Sequence, residues 1–142
     1  MNSLFHLSLP CKGIESTKNF YVNILGANLG RNTNQWLDID LYNHQITFTK
    51  SGDFNFVFKN YKFEGIILPS FHFGVILSKE TWTNLYQKLI SSKTIYIEKT
   101  SFLKEKNGEH DSFFVKDPNG YIVEFKHFTN METMFLPLPK IS

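Results

Sequence analysis

Two histidines occupy matching positions in an internal repeat of this sequence. The segments Phe5–Leu9 (FHLSL) and Phe71–Val75 (FHFGV) resemble each other, and the second residue of each is a histidine, His6 or His72. Both segments alternate in the manner of β-strands. A repeat at about half the chain length indicates two similar modules rather than a solenoid. If a pseudo-twofold axis relates the modules, equivalent residues near that axis approach each other, so we expect His6 and His72 to lie together.

A buried carboxylate is the third candidate ligand. Glu124 stands between Val123 and Phe125 in an apolar strand, where an unpaired charge is costly and requires a partner or a metal. Two imidazoles and one carboxylate on a rigid sheet would form a facial triad, which suits non-haem Fe²⁺ and leaves positions open for substrate or oxygen. The same ligands also suit Zn²⁺, Ni²⁺, Mn²⁺ or Co²⁺. In the alternative interpretation, each histidine is structural and Glu124 pairs with Lys126 on the same strand face.

A helix is predicted after each histidine strand. In the first half, Ser16 is the predicted N-cap, Phe20 and Ile24 form an apolar stripe, and Gly26 ends the helix. The second helix begins after Ser78, and its apolar stripe consists of Trp82, Leu85, Tyr86 and Leu89.

Strands are predicted after each helix. They cover residues 35–41 and 45–50 in the first half, and 94–102, 111–116 and 121–128 in the second. The last two are joined by Asp117–Gly120, whose proline and glycine are typical of a tight turn. Because the strand–helix–strands pattern occurs twice, we predict an α+β fold of two tandem modules, each with a strand, a helix and two or three further strands, that form a curved mixed sheet around a cleft.

We divide the chain into four segments within one compact domain. They are the first module (1–50), a linker (51–69) with a possible strand at Phe54–Lys59, the second module (70–128) and a C-terminal tail (129–142). Pro137 and Pro139 predict an extended tail, which we expect to pack against a neighbouring chain.

The composition excludes several classes of protein. Hydrophobic residues make up 42% and charged residues 20% of the chain, which indicates a globular protein. A formal charge of +2 is too weak for electrostatic nucleic-acid binding, and no apolar run approaches the ~20 residues that span a bilayer. A single cysteine, Cys11, excludes a disulfide framework and any multi-cysteine metal site. We therefore expect a soluble cytoplasmic protein that acts on a small molecule, with no nucleic-acid or membrane partner.

Four motifs in order carry a resemblance to a known superfamily. The first motif is Phe5-His6-Leu7, and the second is Phe20–Gly26 (FYVNILG), which is similar to a helix motif FY-x-x-x-LG. The third is the strand of His72. The fourth is Asp117–Glu124 (DPNGYIVE), which is similar to the signature DP-x-G-x-x-x-E. This order resembles the vicinal oxygen chelate superfamily, which includes glyoxalase I, extradiol dioxygenases, and bleomycin and fosfomycin resistance proteins. The resemblance covers nearly the whole chain.

The resemblance implies a metal enzyme. In the superfamily, paired βαβββ modules hold a divalent metal that chelates two vicinal oxygens of the substrate and acts as a Lewis acid or activates dioxygen. Matched by position, His6, His72 and Glu124 would be the ligands, with Fe²⁺ as our first choice of metal and Zn²⁺, Ni²⁺ or Mn²⁺ as alternatives. We expect a homodimer with dioxygenase-like or lyase/isomerase-like activity. The alternative is a metal-free small-molecule binding protein of the bleomycin-resistance type.

Two departures from the superfamily motifs count against glyoxalase I itself and against a standard extradiol dioxygenase. Glyoxalase I has a fourth ligand, a glutamate late in the first module, but residues 45–49 and 54–58 contain no carboxylate here, and Gln45 or Thr47 would face the metal instead. Extradiol dioxygenases have a tyrosine shortly before the DP-x-G turn, where this chain has Phe113-Phe114.

Further site candidates come from strand faces and loops. Gln45 is a candidate for hydrogen bonding to substrate or to a metal-bound water, and the alternative is an exposed polar strand face. His110 is a candidate general base near the mouth of the cleft, and the alternative is a loop residue. Trp36, Thr47 and Phe113 are candidate substrate-binding residues, although the two aromatic side chains could equally be core.

Overall fold

The twofold repeat of the sequence is present in the order of the structural elements. The computed structural model describes residues 3–139. The first module contains β1 (His6–Cys11), α1 (Ile14–Lys18), a π-helical segment (Asn19–Ile24), β2 (Asn28–Asn32), β3 (Trp36–Leu41) and β4 (His44–Lys50). A hairpin of β5 (Asn60–Phe63) and β6 (Ile66–Pro69) follows. The second module contains β7 (Phe73–Ile76), α2 (Lys79–Ile90), β8 (Ile95–Phe102), β9 (His110–Lys116) and β10 (Ile122–Phe128), and a 3₁₀ turn (Met131–Thr133) lies in the tail.

The chain divides into two units with one βαβββ module each. Unit 1 consists of the residues up to Val57 together with Asp117–Tyr121, and unit 2 begins at Phe58 and includes the rest. Each unit has a four-stranded sheet, ordered β1-β4-β3-β2 in unit 1 and β7-β10-β9-β8 in unit 2. In both sheets the first and last strands of the module pair in parallel and the other pairs are antiparallel. The predicted α+β class with two βαβββ modules is therefore confirmed.

The second helix forms as predicted. Ser78 is its N-cap and its side chain accepts a hydrogen bond from the backbone N–H of Thr81, which satisfies one of the free donors of the first turn. The predicted stripe of Trp82, Leu85, Tyr86 and Leu89 is buried. The Trp82 indole N–H also donates to the Phe125 carbonyl at 2.8 Å, which attaches α2 to β10.

The first helix differs from the prediction. It begins at Ile14 after Gly13, without a side-chain cap, and the hydroxyl of Ser16 donates back to the Gly13 carbonyl. The predicted N-cap at Ser16 is therefore wrong. The helix then widens into the π-helical segment, which buries Phe20 and Tyr21. The Tyr21 ring packs on Phe48 of β4 with 4.9 Å between the ring centroids.

The linker also differs from the prediction. Residues 54–59 form no strand, and the hairpin of β5 and β6 occupies residues 60–69 instead. The rings of Phe54 and Phe56 pack against Tyr121, which belongs to the same unit, so their alternation reflects aromatic packing rather than sheet pairing. Strand β2 was not predicted because all of its residues are exposed and carry no apolar pattern. The last residues of the predicted tail, 140–142, lie outside the described residues.

The DPNG turn is fixed inside unit 1. Asp117 is buried, and its carboxylate accepts hydrogen bonds from the Tyr21 hydroxyl and from the backbone N–H groups of Asn119 and Tyr121, each at 2.8 Å. The Asn119 side chain accepts from the backbone N–H of Lys12 at 2.8 Å. Burial raises the pKa of Asp117 despite these hydrogen bonds.

Within residues 3–139, no helix combines the length and the hydropathy that a membrane span requires.

Gly74 permits the close approach of β7 to β10. A Cβ atom at this position would lie 1.8 Å from the Glu124 carbonyl oxygen, so we expect Gly74→Ala to force the two strands apart and to lower the free energy of unfolding by about 2–3 kcal/mol. Urea unfolding followed by circular dichroism measures this change. The control is Gly13→Ala, whose Cβ would meet only the Ser16 hydroxyl oxygen, at 3.5 Å, and which we expect to cost less than about 1 kcal/mol. Equal stability of the two variants would contradict the packing argument.

Candidate active site

A histidine and a glutamate face each other in unit 2. His72 Nε2 lies 3.3 Å from Glu124 Oε1, and His72 Nδ1 lies 2.8 Å from the Pro69 carbonyl oxygen. Because a carbonyl can only accept, Nδ1 carries a hydrogen and donates it. The nitrogen that faces the carboxylate then requires either a second proton or a metal ion between the two groups. The pair therefore has the geometry of an ion pair that shares a proton or of two ligands of one ion.

The Glu124 carboxylate is held ionised by its surroundings. The Ser112 hydroxyl donates to Oε2 at 2.7 Å, and Lys126 Nζ lies 3.8 Å from Oε1. Burial opposes ionisation, but the hydrogen bond from His72 and the charge of Lys126 outweigh it and lower the pKa of Glu124. The hydrogen bond to Glu124 in turn raises the pKa of His72, against the opposing effect of burial. Each shift thus favours the charged form of its group, the carboxylate of Glu124 and the imidazolium of His72.

The pair opens into a small cavity with aromatic walls. The cavity has a volume of about 160 Å³ and lies entirely within unit 2. The hairpin contributes Tyr61 and Phe63 to it, and the Phe63 ring stacks on Phe102 with 5.5 Å between centroids. The hairpin is also held at its tip, where the Glu64 carboxylate accepts the backbone N–H of Leu103 at 2.9 Å. A volume below the ~300 Å³ of ordinary ligand pockets indicates a small ligand.

His110 lies in the same cavity as His72 and Glu124. Its Nδ1 donates to the Gly108 carbonyl at 2.7 Å. The hydrogen bond leaves Nε2 as the nitrogen that can accept a proton. The structure thus brings together three residues that the sequence had singled out separately.

In unit 1, His6 is tied to Gln45. The parallel register of β1 and β4 places these residues side by side, and His6 Nδ1 lies 2.8 Å from Gln45 Oε1. The amide nitrogen of Gln45 donates to Asp38 at 3.3 Å, which orients the amide oxygen toward the histidine. His6 therefore donates through Nδ1, as His72 does, and its Nε2 is free to bind a ligand.

Asp38 is a polar site residue that the sequence did not lead us to expect. It is only 5% exposed and accepts hydrogen bonds from the Thr47 hydroxyl at 2.7 Å and from Arg31 at 3.0 Å. It pairs with Thr47 across β3 and β4 just as Phe114 pairs with Glu124 across β9 and β10. The signal was present in the sequence, since Asp38 stands between Leu37 and Ile39 as Glu124 stands between Val123 and Phe125.

Phe113 and Trp36, which were predicted to bind substrate, contact other side chains of the protein. Phe113 is fully buried and packs against Trp82 and Tyr86 of α2, on the sheet face opposite to Glu124. Phe114 lines the cavity instead. In unit 1, Trp36 is partly exposed and the Arg31 guanidinium lies over its ring, 5.4 Å from the centroid.

The spacing of His72 and Glu124 in unit 2 is compatible with two ligands of one metal ion. Two ligands of one ion at about 2.1 Å can be separated by the 3.3 Å that is found between His72 Nε2 and Glu124 Oε1. The far atoms of both side chains are held by Pro69 and Ser112, as the outer partners of metal ligands commonly are. Among residues 3–139, however, no three His, Cys, Asp or Glu side chains cluster closely enough to hold an ion. His6 belongs to the other unit, and its place as third ligand stays a prediction.

Solved structures share this architecture over nearly the full chain. A glyoxalase/bleomycin resistance protein/dioxygenase from Alicyclobacillus acidocaldarius matches with a TM-score of 0.80 and 25% sequence identity, over 94% of this chain and 97% of that chain. The fosfomycin resistance protein FosX from Listeria monocytogenes matches with a TM-score of 0.67 and 12% identity, over 95% and 99% of the two chains. The chain has the fold of the vicinal oxygen chelate superfamily. No protein-family model and no curated protein matches the sequence itself.

The fold of the superfamily agrees with the motifs that suggested it. The helix motif includes the π-helical segment of unit 1, and the DP-x-G-x-x-x-E signature supplies both the Asp117 turn and Glu124. Strand β4 supplies no carboxylate in place of the fourth ligand of glyoxalase I. The position equivalent to Glu124 of unit 2 is Thr47, and its hydroxyl donates to Asp38. The one buried carboxylate described on this face of unit 1 is thus engaged by Arg31, Thr47 and Gln45.

Asp38 makes the stability of the chain pH-dependent. Burial opposes its ionisation, but the hydrogen bonds from Thr47 and Arg31 outweigh burial and lower the pKa of Asp38. A lowered pKa stabilises the fold above the ordinary aspartate pKa of ~3.9, and this stability is lost as the pH falls through the lower folded-state pKa. We expect Asp38→Asn to reduce the free energy of unfolding at neutral pH by about 1–3 kcal/mol and the deficit to shrink in acid.

Unfolding of wild type and variant by urea across this pH range measures the effect. The control is Asp40→Asn on the same strand, because the Asp40 carboxylate accepts one hydrogen bond from the Asn43 backbone and its loss should change stability less. A deficit of Asp38→Asn that stays constant down to the lowest pH would show that the charge of Asp38 contributes nothing.

Proposed function

We propose that the chain is a metal-dependent enzyme of the glyoxalase and dioxygenase type, which binds a small substrate through vicinal oxygens. The proposal depends on one observation: His72 Nε2 and Glu124 Oε1 point at each other at 3.3 Å while the far atoms of both side chains are held elsewhere. We propose His6 as the third ligand and Fe²⁺ as the metal, with Zn²⁺, Ni²⁺ or Mn²⁺ as alternatives. A bound metal would supply Lewis-acid polarisation of the substrate oxygens.

The residues of the chain would orient the ligands. The Pro69 carbonyl fixes the tautomer of His72, and the Ser112 hydroxyl occupies one oxygen of Glu124 so that the other stays available. In unit 1, both polar groups of the Gln45 amide are engaged, by His6 and by Asp38. We therefore propose that Gln45 positions His6, and that Asp38 positions Gln45. Trp36 and Thr47 stay predicted contributors to substrate binding.

His110 and Lys126 would act on the substrate within the cavity. Nε2 of His110 can take a proton from a substrate carbon or hydroxyl, since its Nδ1 donates to Gly108. Lys126 lines the same cavity, and its ammonium would attract a substrate oxygen that carries negative charge. The aromatic side chains of the hairpin would exclude water, which strengthens these interactions. That the protein works as a homodimer in the cytoplasm stays a prediction.

Metal content tests the proposal directly. Protein purified anaerobically should contain close to one metal ion per chain by mass spectrometry, and His72→Ala or Glu124→Gln should reduce this content roughly tenfold or more. The control is His44→Ala, because the His44 ring only accepts a backbone hydrogen bond from Phe5, and it should retain the metal. Protein that stays metal-free after reconstitution, or an undiminished content in His72→Ala, would refute the proposal.

A metal-free binding protein is the second candidate function. The observation that favours it is the Lys126 ammonium, 3.8 Å from Glu124 Oε1, which can balance the carboxylate in place of a metal. In this case Lys126→Met should destabilise the chelator-treated protein, and no variant should gain metal. If Glu124 instead binds a metal, Lys126→Met removes a competing cation, and the metal affinity should stay equal or increase. Titration of the apoprotein with Zn²⁺ distinguishes the two outcomes.

A further inference from the structure

A second cavity lies on the other face of the unit 2 sheet. It has a volume of about 580 Å³ and is bounded by α2 and by strands β8, β9 and β10. This volume is typical of pockets that bind small organic molecules. Successive residues of a strand point to opposite faces, so this helix-side groove is separated from the Glu124 cavity by the sheet itself. Among the described residues, none lines both cavities.

The floor of the groove contains an incomplete polar network. Asp111 and His127 are cross-strand partners, with His127 Nε2 3.1 Å from one carboxylate oxygen, and Ser101 donates to the other oxygen at 2.5 Å. His127 is only 6% exposed, and its Nδ1 has no hydrogen-bond partner within the described part of the chain. Buried polar atoms are nearly always paired. His127 lines the groove, so the polar network beneath its surface is one hydrogen bond short.

The walls of the groove combine aromatic rings with positive charge. The rings of Trp82 and Tyr86 are parallel to within 5° with 5.7 Å between centroids, and Lys99 Nζ lies 5.7 Å from the Tyr86 centroid. Lys79 lies at the same groove. Neither lysine forms an ion pair with a carboxylate of the described residues. Two lysines and one aspartate line the groove, so its formal net charge is +1.

We infer that the helix-side groove binds a small aromatic acid. Its carboxylate would pair with Lys79 or Lys99, and its ring would contact the small exposed parts of Trp82 and Tyr86 that line the groove. A neutral molecule of the same shape would leave the net positive charge of the groove unbalanced, so the groove selects for the anion.

Benzoate is a suitable probe, and Trp82 provides the signal. The chain has two tryptophans, so the indole N–H resonance of Trp82 can be assigned by comparison with Trp36→Phe. Titration of the chelator-treated protein with benzoate should shift this resonance saturably. Benzyl alcohol, which lacks the charge, should bind about tenfold more weakly. Loss of one lysine by Lys99→Gln should weaken benzoate binding about two- to fivefold, and the double variant Lys79→Gln/Lys99→Gln about tenfold.

Lys116 provides the matched control. Its Nζ lies 5.8 Å from the centroid of Tyr96, which is the same lysine–tyrosine arrangement away from the groove. Lys116→Gln should leave benzoate binding unchanged. No saturable shift of Trp82, equal binding of benzyl alcohol, or equal weakening by Lys116→Gln would overturn the inference. If His72→Ala abolished the benzoate-induced shift of Trp82, benzoate would bind at the Glu124 cavity and the inference would also be overturned. The metal content of the protein tests the proposed enzyme alone.

Discussion

The parallel pairing of the first and last strands of each module is the constraint on which both polar sites depend. In unit 2, β7 approaches β10 so closely that residue 74 has no room for a Cβ atom opposite the Glu124 carbonyl. This approach brings His72 within 3.3 Å of a carboxylate that is distant in the sequence. In unit 1 the equivalent pairing aligns His6 with Gln45. The strand register therefore sets the positions of these polar side chains, and the helices, the β5–β6 hairpin and the DPNG turn add only local adjustments.

The three most buried carboxylates of the described chain are stabilised in different ways. Asp38 is surrounded by donors and by the Arg31 charge, so its pKa is lowered despite burial. Glu124 is balanced by His72 and Lys126, which also lowers its pKa. Asp117 has hydrogen-bond donors but no cation, and burial raises its pKa. Asp38 and Glu124 both combine a lowered pKa with a position at a cavity, of about 300 Å³ and about 160 Å³, and of these two only Glu124 is paired with a histidine.

The two faces of β10 separate two kinds of environment within unit 2. Glu124 and Lys126 face the small aromatic cavity, whereas Phe125 and His127 face α2. The alternation of a single strand thus supplies a charged pair to one side and, to the other, an imidazole that pairs with Asp111 through one of its two nitrogens. A metal-dependent reaction on one face and recognition of an aromatic acid on the other would need no shared residue.

Local periodicity and turn chemistry were enough to predict the repeat, the α2 helix with its Ser78 cap, the DPNG turn and the burial of Glu124. The strand register depends on long-range pairing, and it places Phe114 rather than Phe113 beside Glu124. The tertiary structure also decided that Asp38 orients Gln45, and that the linker forms a hairpin over the cavity. Alternation shows which residues share a face of one strand. Only long-range pairing shows which face of the next strand lies beside it, since a shift of one residue reverses every side chain.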